Sequence, residues 1–156
     1  MYMKNNKVYF EYSDFDYAVG QVAELIKKER DIGYEVHIVT PYRGGLPLGV
    51  RLSNQCNVPL SILDYQRLDG TSNESKVVSM MKNAGIKEDD VIYLVDDIAD
   101  KGVTINKCLG FLSTEFPRNT LKVYTIFGDK LIHNPSWKYS FEHNKKWIQF
   151  IPWEGK

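Results

Sequence analysis

Cysteine, histidine and any excess of charge are what this chain of 156 residues has least of. Cys56 and Cys108 lie far apart, with no C-x-x-C spacing and only three histidines in the chain, so neither a zinc site nor a disulfide framework is indicated. They read as reduced core thiols. Twenty Lys and Arg cancel twenty Asp and Glu. No global field therefore advertises a nucleic-acid or membrane partner, and any anion site must be local. No apolar run approaches the roughly 18 residues of a membrane span, and the opening MYMKNNKVYFEYSDFD lacks the apolar region of a secretory signal. The cytoplasm is the expected location. No G-x-x-x-x-G-K-[ST] run occurs, so a Walker-type phosphate loop is excluded, and there are no internal repeats.

What is present is enough apolar content, 43%, to bury one core, and the length argues for a single domain. From Asp14 onward Phe15, Ala18, Val19, Val22, Leu25 and Ile26 recur at helical spacing, with Ser13 or Asp14 as cap and basic residues in the last turn. YEVHIVT (34–40) reads as a strand leading through PYRGGLP into a helix that tolerates Pro47 in its first turn. Strands are expected at 58–63, 76–81, 91–95 and 121–127, with a helix on Ile105, Cys108, Leu109 and Leu112. The polar segment 64–75 is the longest candidate loop, either a lid or a flexible linker. Alternating strands and helices with near-continuous apolar strands predict an α/β fold: a mainly parallel sheet flanked by helices, with ligands at the carboxyl ends of the strands.

The stretch VIYLVDDIADKGVTI (91–105) carries the chemistry. A buried strand runs out in Asp96 and Asp97, Asp100 follows in the turn, and Lys101 to Thr104 open a helix. Backbone amides of a glycine turn at a helix N-terminus form an anion cradle suited to phosphate. Adjacent carboxylates repel unless something cationic or hydrogen-donating lies beside them, and a vicinal diol or a magnesium ion is such a partner. The outline is that of a phosphorylated sugar. A helix cap or solvated turn gives the same Asp-Asp pair, but two other strand-Asp-Asp sites fail. A Walker B strand lacks its phosphate loop, and a receiver domain would carry its acidic pair after the first strand.

VIYLVDDIADKGVT resembles the signature of the type I phosphoribosyltransferases, a hydrophobic strand followed by D-D/E, two residues and D-T-G-x-T, with Lys101 where the family usually has Thr. TPYRGGLPLGVRLS (40–53) is similar to the family's pyrophosphate loop and following helix. KKWIQFIPWE (145–154) is similar to the W-I-x-F-P-W-E ending of small 6-oxopurine members, the xanthine-guanine and hypoxanthine-guanine type. The resemblance implies the type I phosphoribosyltransferase fold, with an N-terminal segment and helix (1–33), a core (34–128) and a small base-binding hood (129–156).

It also implies a reaction: a 6-oxopurine and 5-phospho-α-D-ribose 1-diphosphate (PRPP) give a nucleoside 5′-monophosphate and pyrophosphate, with Mg2+ as cofactor. Asp96 and Asp97 would hold the ribose hydroxyls, with Asp96 the magnesium ligand. Asp100 would be the catalytic residue near N7 of the base, and with Lys101, Gly102, Val103 and Thr104 would surround the 5′-phosphate. Arg43 and Gly44, joined by a peptide bond that is often strained in the family, would meet the pyrophosphate, helped by Arg67 and Lys76 from a closing loop. Lys130, Trp147 and Ile148 would hold the base, while Phe150 and Trp153 pack. From the residues alone the favoured readings are Trp147 as a core aromatic and Lys130 as a solvated loop lysine. Dimerisation is a further expectation. A regulatory module that keeps the fold and binds PRPP or a nucleotide without turnover is the competing reading, and retention of Asp100 favours the enzyme.

Overall fold

The computed structural model describes residues 1–64 and 85–156. The expected strand at 76–81, Tyr65, Arg67 and Lys76 lie outside the described residues. Five strands form one sheet: β3 (Val36–Pro41), β4 (Leu60–Leu63), β5 (Val91–Ala99), β6 (Thr120–Gly128) and β7 (Trp137–Glu142). Their order is β4-β3-β5-β6-β7, and all four pairings are parallel. Parallel strands need helical crossovers that cover both faces, which is why β3 and most of β5 are buried along their length.

The apolar stripe read from Phe15 to Ile26 is the buried face of α1 (Tyr12–Asp31). The helix starts two residues before the expected cap. Asp14 does not cap it but sits a turn inside, where its Oδ2 accepts the Glu11 N–H at 2.9 Å. α2 (Leu46–Cys56) carries Pro47 in its first turn and ends at Asn57, which adopts the left-handed conformation at φ 51°. α3 (Val103–Glu115) follows Gly102 at φ 77°, a conformation glycine adopts without penalty. Side chains alternate along β5 as a strand requires. Val91, Tyr93 and Val95 face a core shared with α1 and α2, and Ile92 and Leu94 face a second core containing Ile105, Cys108 and Leu112 of α3.

The two ends of the chain meet in a second, three-stranded sheet. Here β1 (Tyr2–Lys4) pairs antiparallel with β2 (Lys7–Phe10), and β2 pairs in parallel with β8 (Trp147–Phe150), which leads into the short α4 (Ile151–Glu154). Residues 2–10, read in the sequence as part of the N-terminal segment, thus supply two of the three strands of the hood's sheet, and β7, read as hood, is an edge strand of the main sheet. Phe10 joins the two layers. Fully buried, it makes edge-on contacts with Phe15, Phe127, Phe141, Phe150 and Trp153 at centroid distances of 6.4, 5.6, 6.2, 5.3 and 6.0 Å.

Replacing Phe10 by Ala removes that hub and leaves a cavity between sheet and hood. A loss of about 3–5 kcal/mol is expected in denaturant unfolding, and a loss below about 1 kcal/mol would show that the hood is not part of the cooperative core.

Candidate active site

β5 is longer than the apolar run that announces it. Asp96 pairs with Thr125 and Ile98 with Phe127, so the acidic pair belongs to the strand and not to a turn beyond residue 95. The sheet therefore fixes both carboxyl groups. Asp96 is buried and its Oδ1 accepts the Asp97 N–H at 2.9 Å, while Asp97 Oδ1 accepts the Ile98 N–H at 2.7 Å. Burial pushes the Asp96 carboxyl well above the usual carboxylate range, and the charge of Asp97 adds to the effect. Asp97 is raised as well, chiefly by burial.

The loop leaving β3 closes against this pair. A Cβ on Gly44 would lie 2.8 and 2.9 Å from the Asp97 carboxylate oxygens, and one on Gly45 would meet Thr40 Oγ1, the Val95 carbonyl at 2.7 Å and Asp96 Oδ1 at 3.1 Å. Both glycines are needed because the loop backbone touches the carboxylates directly. Arg43 and Gly44 are exposed at the rim. The unusual peptide bond of this loop is Tyr42–Arg43, which is cis; it precedes the Arg43–Gly44 bond to which the sequence comparison points.

Beyond β5, Asp100 and Lys101 are exposed, and Gly102 turns the chain into α3, whose first intrahelical bond runs from Asn106 N to Gly102 O at 2.8 Å. The amides ahead of it have no partner within the helix. Residues 98–105, which include Asp100, Lys101, Gly102, Val103 and Thr104, line a recess of about 350 Å³. A second recess of about 340 Å³ is lined by Asp97, Asp100, His143, Lys145, Lys146, Trp147, Ile148, Phe150 and Glu154. The two share Ile98 and Asp100.

The fold thus brings Asp97, Asp100, Trp147 and Ile148 to one recess. Trp147 leaves 65% of its surface exposed there, whereas the Ile148 side chain is buried. Phe150 is also buried and stacks on Trp153 at 4.6 Å, so both pack. Asp96 lines neither recess and is enclosed behind Gly45. Lys130, in the turn after β6, is exposed and also lines neither. His143 and Glu154 belong to the second recess and were missed. The only signal for them was proximity to the tryptophan ending, since the recess forms by pairing β8 with distant β2.

A sequence model of the phosphoribosyl transferase domain family matches residues 11–152. The chain belongs to that family. Among solved structures, this phosphoribosyl transferase domain is similar to a purine phosphoribosyltransferase from Pyrococcus horikoshii Ot3, with 26% identity, a TM-score of 0.67, and coverage of 96% of this chain and 94% of that one. A Helicobacter pylori xanthine-guanine-hypoxanthine phosphoribosyltransferase shares the fold at 18% identity and a TM-score of 0.67, covering 95% and 93% of the two chains. Among curated proteins, a ribose-phosphate pyrophosphokinase of Thermotoga maritima is 33% identical over 111 residues, 70% of this chain. The domain spans 34% of that relative's length. The expected type I fold is thereby confirmed, and among the described residues no helix is long and apolar enough to cross a membrane.

Two outcomes follow for the acidic corner. Gly44→Ala should push the loop after β3 off Asp97 and weaken PRPP binding about tenfold or more in calorimetry; unchanged affinity would detach that loop from the site. Because the folded state holds the Asp96 proton more tightly than the unfolded chain does, the burden of the ionised group grows as pH rises through its raised folded pKa. Asp96→Asn should therefore stabilise the metal-free protein near pH 7 by roughly 1 kcal/mol. The gain should shrink toward pH 4, and thermal melts at both pH values read it.

Proposed function

We propose that this domain transfers the 5-phosphoribosyl group of PRPP to a 6-oxopurine base, giving a nucleoside 5′-monophosphate and pyrophosphate. The observation that carries the reading is the meeting of the two recesses at Asp100. One side opens on the main-chain amides at the start of α3, which suit an anion, and the other holds an exposed tryptophan face suited to a flat aromatic acceptor. The names of similar proteins span a pyrophosphokinase and purine phosphoribosyltransferases; the Trp147 recess favours the second. Catalytic turnover is favoured over mere binding by the same geometry, since a binder of PRPP has no use for a carboxylate between sugar and base.

In this reading Val103, Thr104 and Gly102 cradle the 5′-phosphate through main-chain N–H groups. Lys101 contributes charge in place of a hydroxyl. Asp97 meets the ribose hydroxyls from the recess it lines, and Asp96 acts from behind it. Arg43 and Gly44 face the pyrophosphate, with Arg67 and Lys76 as its further basic partners. Trp147 stacks on the purine, the Ile148 backbone reads its C2 edge, and Lys130 donates to O6. Asp100 takes the proton from N7 as N9 attacks the anomeric carbon, whose transition state is oxocarbenium-like.

The donor set also fits magnesium. Asp96, the expected ligand, is enclosed behind Gly45, so Asp97, which lines the recess, is the carboxylate that could hold the ion together with water and substrate oxygens. A carboxyl with raised proton affinity is one that a cation would relieve. When bound, magnesium supplies positive charge to the departing pyrophosphate.

Incubation with PRPP, Mg2+ and each of guanine, hypoxanthine, xanthine, adenine and orotate should release pyrophosphate with one or more of the first three. Silence with all five would favour the regulatory reading. Asp100→Asn should lower kcat roughly 100-fold or more with PRPP affinity retained. Trp147→Ala should raise the KM for the base about tenfold, the lower range of an aromatic stacking contact, and Lys130→Ala should weaken use of 6-oxopurines selectively.

A further inference from the structure

His143 stands beside the group assigned to proton transfer. Its main-chain N–H is tied to the Gly128 carbonyl at 2.8 Å, and the turn that follows it, through Lys145 at φ 63°, folds back so that Nε2 lies 3.4 Å from the Lys146 carbonyl. A carbonyl only accepts, so this contact puts the imidazole proton on Nε2. Nδ1 then presents a lone pair. That nitrogen is buried, has no hydrogen-bond partner, and faces Asp100 Oδ1 at 3.5 Å. Two acceptors facing one another fit together only when a proton lies between them.

Asp100 reaches that state after taking a proton from the base. We propose that His143 is a positioning residue for Asp100 that accepts this proton, an inference that rests on the phosphoribosyltransferase reading. In the step, the N7–H bond of the purine breaks and an O–H bond forms on Asp100. The proton then passes to Nδ1, restoring the carboxylate and leaving an imidazolium whose Nε2–H keeps its carbonyl. The buried, unpartnered Nδ1 lone pair facing Asp100 Oδ1 gives the transfer its direction. The imidazolium loses the proton to water once the nucleotide leaves. The other charged groups around the recess are Asp97, Glu154, Lys145 and Lys146. The two lysines offset the two acids, so Asp100 is the partner that decides where the proton rests.

A double-mutant cycle tests the relay. His143→Ala should lower kcat about 10- to 100-fold with the KM for PRPP within about twofold, and should cost nothing further in an Asp100→Asn background. His143→Asn keeps a donor near the Nδ1 position but is no base, and should stay impaired. Equal losses in both backgrounds, or full rescue by Asn, would overturn the relay. A substrate-free measurement separates its failure from failure of the enzyme reading. In 15N spectra of the full chain, the His143 Nδ1 resonance should move on Asp100→Asn, and an unmoved resonance overturns the pairing whether or not any base is turned over.

Discussion

Two carboxyl groups fixed side by side inside a protein are the constraint on which the rest of this structure depends. β5 places Asp96 and Asp97 near its carboxyl end, where burial raises the proton affinity of both and the charge of Asp97 adds to the rise at Asp96. A buried like-charge pair is unfavourable in the free protein and becomes favourable only with a hydroxyl donor or a cation beside it. The surroundings are built to keep that debt local. Gly44 and Gly45 let a loop backbone lie directly on the pair, and the neighbouring strand amides hold the carboxyl oxygens in place.

From this corner the geometry spreads in two directions. Toward α3, the glycine at 102 turns the chain so that unpaired amides open beside Asp100. Toward the hood, β8 brings Trp147 and His143's turn to the opposite side of the same aspartate. Asp100 is the one exposed acid common to both. The raised pair is fixed within the sheet, whereas Asp100, outside it, lies between the two recesses.

The parallel sheet and its helices were legible in the sequence because apolar residues sat at strand or helix period wherever an element packed on both sides. VIYLV and the Phe15 to Ile26 stripe are the clearest cases. The glycine turn from β5 into α3 was legible for a different reason: it needs particular residue types at fixed spacing along the chain. The hood was not legible in the same way. β1, β2 and β8 are strands of three or four residues, too short to establish a period, and β2 pairs with residues at the far end of the chain. His143 escaped notice because a lone histidine in a polar turn has no periodicity. Only the fold brings it to Asp100.

The pairing of β2 with β8 has a consequence for how the molecule comes to exist during synthesis. β2 must wait for β8, made well over a hundred residues later, before that edge is satisfied. Until then Phe10 has no partner from Phe150 or Trp153, and the tryptophan recess does not exist. A nascent chain can assemble its acidic corner and the glycine turn beside it long before the recess at Trp147 closes.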